Sequence, residues 1–250
     1  MDLSKIDGHR ISQNEMNRKL KELYAKIPSE MTDYVNDFNA KAKNKFISNP
    51  ILLAATDRYC NASKRIMVVG QETYTWLGEY NGGRYSADNS IDRLQNLYDI
   101  FVNEWIGYNS PIWNFYDRIL HIAHKHNTAL IFNNLAKIGF VEATGNDHTA
   151  NRFLIDIFRE EIRICRPNVI LFVSGPNYDD LIGERFGKFA AERCIDGVSS
   201  REFARLKFSN PEFSDIRAYR TYHPAYLQRV KNRCSWAQPI YDFIDGIAGE

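Results

Sequence analysis

The chain predicts an α/β fold: a central parallel sheet of four strands covered by helices on both faces in three layers, with extra helices at the N-terminus. Three observations predict it. Short β-rich runs alternate with longer segments of helical periodicity, the pattern of strand–helix–strand units. The runs are almost continuously apolar, as buried parallel strands are. Each run also stops at polar or glycine-containing residues, where ligands bind in open α/β sheets.

The elements follow in order. Met16, Leu20, Leu23, Tyr24 and Ile27 recur at helical spacing between Ser12 and Ile47. Pro28-Ser29 interrupts that stretch, with Ser29 as candidate N-cap of a second helix through Phe46. Arg65 to Gly70 (RIMVVG) is the first strand, and Gly78 to Asn89 reads as a loop. Helices are expected over Ile91–Trp105 and Ile112–His124. Ala129-Leu130-Ile131-Phe132 is the second strand, ending at Asn133-Asn134, and a helix follows from His148 to Cys165. Val169 to Val173 (VILFV) is the third strand, ending at Ser174-Gly175-Pro176 before a short helix, Tyr178–Phe186. The stretch from Phe189 to Phe213 leaves room for a β-hairpin. Ile216–Tyr222 is the fourth strand, and Ala225–Ile247 is helical with a break or kink at Pro239. With no internal repeat or low-complexity linker, residues 1–250 read as one domain, with a helical extension over 1–60 and the α/β core over 61–250.

Composition narrows the class. Hydrophobic residues make up 44% of the 250 and aromatics 13%, enough for a sizeable core. No apolar run reaches the roughly 18 residues of a membrane span, and Met1–Arg10 lacks the apolar stretch of a secretory signal. Cys60, Cys165, Cys194 and Cys234 form no C-x-x-C pair, so a cytoplasmic protein with reduced thiols and no metal site or cofactor is expected. The patterns G-x-x-x-x-G-K-[ST] and G-x-G-x-x-G after a strand are both absent, which argues against ordinary nucleotide triphosphatases and dinucleotide enzymes. The net charge is +1, yet Arg217, Arg220, Arg229, Lys231 and Arg233 fall in one stretch without an acidic residue. That stretch reads either as a solvated helix face or as a rim that meets phosphates.

Three strand ends carry chemistry. Gly70-Gln71-Glu72-Thr73-Tyr74 offers an amide and a carboxylate, Asn133-Asn134 offers amides, and His223-Pro224 offers an imidazole. A carboxylate and an imidazole on facing loops can polarise one bond from two sides.

In this order and placement the motifs resemble those of the uracil-DNA glycosylase superfamily, over residues 65 to about 245. Gly70-Gln71-Glu72-Thr73-Tyr74-Thr75 is similar to that family's G-Q-D-P-Y-H. His223-Pro224-Ala225-Tyr226-Leu227 is similar to its H-P-S-P-L. Leu130 to Asn134 matches its strand ending in asparagine, and Tyr85-Ser86 its aromatic–serine pair. The resemblance implies a uracil-DNA glycosylase-like fold and roles for particular residues. Glu72 would orient a water and stabilise positive charge on the sugar, and His223 would hydrogen-bond the departing base. Asn133 or Asn134 would read the polar edge of the base, with donor and acceptor in one amide. Gln71, Tyr74 and Tyr85 would complete the base site, Tyr74 by blocking a methyl group and Tyr85 by stacking. Leu227 would wedge into DNA or else be an ordinary helix residue, while Arg229 and Lys231 would contact phosphates. Thr73, Thr75, Ala225 and Tyr226 depart from the family pattern, which puts the grip on duplex DNA in question.

The expected function is therefore release of uracil or another damaged base from single- or double-stranded DNA by hydrolysis. Two alternatives stand beside it: a catalytically silent nucleobase- or nucleic-acid-binding protein of the same fold, and an α/β enzyme acting on a small nucleoside.

Overall fold

A computed structural model describes residues 11–80, 90–103 and 109–249. Tyr85-Ser86, most of the loop expected up to Asn89, and the end of the helix expected at Trp105 lie outside the described residues.

Helices α1 (Gln13–Tyr24) and α2 (Ser29–Lys41) lead the chain. The Ser12 hydroxyl caps α1 by accepting from the Glu15 amide, and Met16, Leu20, Leu23 and Tyr24 bury its apolar stripe. Ser29 is the first residue of α2 rather than its cap; Pro28, in extended conformation, takes that position. A short α3 (Asp57–Asn61) precedes β1 (Lys64–Glu72). Then come α4 (Ile91–Tyr98), a π-helical turn over Asp99–Asn103, α5 (Pro111–Ala123) and β2 (Thr128–Ala136). The helix expected over His148–Cys165 is two helices, α6 (His148–Arg152) and α7 (Ile155–Cys165). Strand β3 (Val169–Phe172), helix α8 (Asp179–Phe186), β4 (Phe189–Glu192), β5 (Phe203–Phe208) and β6 (Arg217–Thr221) follow.

The last expected helix is also two. Helix α9 (Pro224–Val230) and α10 (Ala237–Gly249) are separated by residues 231–236, so the break precedes Pro239. Pro239 falls in the first turn of α10, where its missing N–H costs no helical hydrogen bond.

The sheet has six strands in the order β2-β1-β3-β6-β5-β4. It is mixed, which corrects the expectation of a purely parallel four-stranded sheet. The four read from the sequence, β2, β1, β3 and β6, run parallel. The Phe189–Phe213 stretch adds an antiparallel hairpin, with β5 beside β6 and β4 at the edge. Aromatic packing anchors the hairpin, because Phe208 stacks on Phe186 at 4.6 Å and packs against Phe189 and Phe213. Every residue of β2 is buried, as are the middle of β1 and all of β3. Because β2, β1, β3 and β6 run parallel, their ends meet at one edge of the sheet. Among the described residues no helix is long and apolar enough to cross a membrane.

Candidate functional site at the strand ends

A cavity of about 750 Å³ opens at that edge. Glu72 from the end of β1, Asn134 from β2 and His223 just beyond β6 all line it, together with Gln71 and Tyr74. Much of the remaining wall is apolar, with Trp76, Leu97, Phe101, Trp113 and Phe132. A mostly apolar pocket with a few convergent polar groups is the usual form of a small-molecule site.

The period of a strand separates the two asparagines. Asn133 points into the core, where Nδ2 donates to Glu161 Oε2 at 2.9 Å. Its Oδ1 accepts from Lys137 Nζ at 3.0 Å and from the Asn134 amide at 2.9 Å. Lys137 and Glu161 pair at 2.6 Å with both side chains fully buried, and the Tyr24 hydroxyl donates to the same Glu161 oxygen at 2.8 Å. Asn133 is therefore occupied and faces away from the cavity, and Asn134 is the asparagine at the site. Asn134 Oδ1 is buried with no hydrogen-bond partner. An orphan acceptor in a cavity wall calls for a donor from a ligand or water.

The neighbouring strand leaves room for that amide. Gly70 pairs with Asn134 across the sheet, and a Cβ at Gly70 would come within 2.3 Å of Asn134 Oδ1. The glycine is required here by close approach rather than by its own backbone angle.

Glu72 is held from two sides. One carboxylate oxygen accepts from the Gly145 amide at 3.0 Å, and the other from the Tyr178 hydroxyl. Burial, and then the hydrogen bond to Glu72 and the Glu72 charge, push the Tyr178 hydroxyl well above the usual tyrosine range, so it stays a donor. A carboxylate can accept about four hydrogen bonds, which leaves capacity for a water. Gln71 donates to the Ser174 carbonyl at 2.7 Å and ties the β1 loop to the β3 loop.

His223 is the N-cap of α9, and its Nδ1 accepts from the Ala225 amide at 3.2 Å. With Nδ1 as acceptor, the neutral ring carries its proton on Nε2. Burial pushes the imidazole below its usual range; the Glu72 charge pulls the other way, and Arg229 adds to the lowering. The ring is thus a neutral Nε2–H donor near pH 7.

The loop after β1 is strained and firmly supported. Thr75 and Leu77 adopt positive φ, 55° and 49°, which costs a non-glycine residue about 1–2 kcal/mol. Compensation comes from Thr75 Oγ1, which accepts from the Glu142 amide at 2.7 Å, and from Asn49 Nδ2, which donates to the carbonyls of Leu77, Gly78 and Glu79.

Other expected contacts fall elsewhere. Tyr74 lines the cavity but is 56% exposed, a rim residue rather than a wall against a buried methyl group. Leu227 is fully buried in the core, which selects the ordinary helix residue over the wedge; its neighbour Tyr226 is exposed. Arg229, Lys231 and Arg233 are exposed, whereas Arg220 is buried and bonded to Asp179 at 3.1 Å and to the Arg201 carbonyl at 2.8 Å. Arg220 therefore serves the interior and not a phosphate rim. Sequence reading placed Tyr178 only at the start of a short helix after the third strand and gave it no role at the site. It also missed Trp76, whose buried Nε1 has no partner and whose ring lines the cavity. No local pattern marks Trp76.

Comparison with known protein families and with curated proteins finds no match to this chain.

Proposed function

We propose that this chain adopts a uracil-DNA glycosylase-like arrangement around its four parallel strands and hydrolyses the N-glycosidic bond of uracil or another damaged base in DNA. The observation that carries the reading is the convergence of Glu72, Asn134 and His223 on one cavity from three separate strand ends. Breaking an N-glycosidic bond builds positive charge on the sugar and negative charge on the departing base. The fixed Glu72 carboxylate suits the first and orients the attacking water, and the His223 Nε2–H suits the second. The Asn134 amide and the Trp76 N–H offer an acceptor and a donor for the edge of a base flipped into an aromatic-walled cavity.

The test is release of free base from uracil- and damaged-base-containing oligonucleotides by purified protein with no added metal. Glu72→Gln and His223→Ala should each slow release while the protein stays folded. No release across the substrate panel refutes the reading; release that survives both substitutions unchanged refutes the assignments. The cavity volume also favours a second reading, since about 750 Å³ holds a whole nucleoside as readily as a base. Release from free nucleosides, without release from DNA, selects that second reading.

A further inference from the structure

Two large hydrophobic or aromatic side chains stand exposed among the described residues, Tyr74 at 56% and Tyr226 at 38%. Tyr74 lies in the loop just after Glu72, and Tyr226 lies in α9 one helical turn beyond His223.

Tyr226 is not isolated. Its ring lies 4.6 Å from Tyr222 and stacks within 17° of parallel on Trp236 at 6.5 Å. Tyr222 precedes His223, and a Cβ at Gly175 would meet its ring at 3.6 Å, next to the Ser174 carbonyl that holds Gln71. The three rings therefore form a shelf continuous with the strand-end edge. Arg229 makes its border basic, with the guanidinium 5.7 Å from the Tyr226 ring; the same acid-free stretch, Arg217 to Arg233, also carries exposed Arg233 and exposed Lys231, whose Nζ lies 5.0 Å from the Tyr241 ring.

We propose that Tyr222, Tyr226 and Trp236 form a stacking shelf for an unpaired nucleobase adjoining the nucleotide whose base enters the cavity, with Arg229, Lys231 and Arg233 meeting the phosphates on either side. The occupant is a single-stranded DNA segment. An aromatic shelf takes the face of a base, and in a duplex those faces are covered by neighbouring bases. The basic border supplies the charge complement to a phosphate backbone. The shelf rests on the proposed function only in naming the adjoining nucleotide.

The experiment measures binding of a fluorescent thymine-only single strand, which holds no damaged base to release, and of the matching thymine–adenine duplex, at low salt. Tyr226→Ala should weaken single-strand binding about 5- to 100-fold, the range for loss of one stacked base, while leaving duplex binding nearly unchanged. Tyr226→Phe keeps the ring and should retain single-strand affinity. The proposal is overturned if the wild-type protein does not bind the single strand, if Tyr226→Ala leaves that binding unchanged, if it weakens duplex binding equally, or if Tyr226→Phe fails like the alanine variant. Shelf-dependent binding without base release from any substrate sinks the glycosylase reading alone. Base release with binding insensitive to Tyr226 sinks the shelf alone.

Discussion

Replacing Lys137 with methionine tests the buried ion pair beneath the site. Lys137 Nζ lies 2.6 Å from Glu161 Oε1 and 3.0 Å from Asn133 Oδ1, with no solvent access to either charged side chain. Burial pushes the Lys137 ammonium below the usual lysine range, and the Glu161 charge opposes that shift. Methionine fills similar volume but leaves a carboxylate buried without a countercharge. The Tyr24 hydroxyl and the Asn133 amide still donate to Glu161, but neither carries charge. Breaking a buried pair from one side costs about 3–5 kcal/mol. For a chain of this size each kcal/mol lowers Tm by about 2–4 °C, so Lys137→Met should melt about 6–20 °C below the wild type. Adding Glu161→Gln removes the stranded charge and should recover part of the loss. Thermal and urea unfolding of the two variants and the wild type measure both effects. The reasoning is refuted if Lys137→Met unfolds within about 1 kcal/mol of wild type, or if the second substitution makes it less stable still.

Glu72→Gln keeps the shape of the side chain and removes its charge, so base release should slow about a hundredfold or more in single-turnover assays. Protonating His223 would place a donor on Nδ1 facing the Ala225 amide, and its lowered pKa puts that event below the ordinary histidine value of about 6.5. The rate should therefore hold down to that pH and fall on further acidification, and a rate that falls already above it contradicts the assignment. The same depressed pKa means that the contribution of His223 to stability is present above about pH 6.5 and is lost as pH drops through its folded value. Trp76→Phe retains the ring and deletes the N–H, so KM should rise about 2- to 10-fold with the fold intact. Leu227→Ala should destabilise by about 2–5 kcal/mol in denaturant unfolding, as a core truncation does, whereas an exposed wedge would leave stability unchanged.

The four parallel strands were legible because parallel strands buried on both faces leave continuous apolar runs, as in Arg65–Gly70 and Val169–Val173. The hairpin was harder to read, since its edge strand buries no residue fully and its anchor, Phe208 on Phe186, is a tertiary contact. The carboxylate and imidazole were legible from their places after strands. The choice between Asn133 and Asn134 was not, because which face of β2 is the cavity face is set by pairing with β1. The choice between the two readings of Leu227 was not legible either, for a related reason: the rotation of α9 about its axis is fixed by packing against α5, which neighbouring letters do not encode. Tyr178 and Trp76 reach the site through folds of the backbone that leave no local signature.

The strand order has a consequence in time. Glu72 and Asn134 leave the ribosome early and already pair as neighbours through β1 and β2. His223 follows β6, the last of the described strands to be made, which docks between β3 and β5. During synthesis the carboxylate half of the cavity can therefore exist without its imidazole half. The cavity acquires both poles only when β6 docks, and that single late event separates an inert sheet from a complete site.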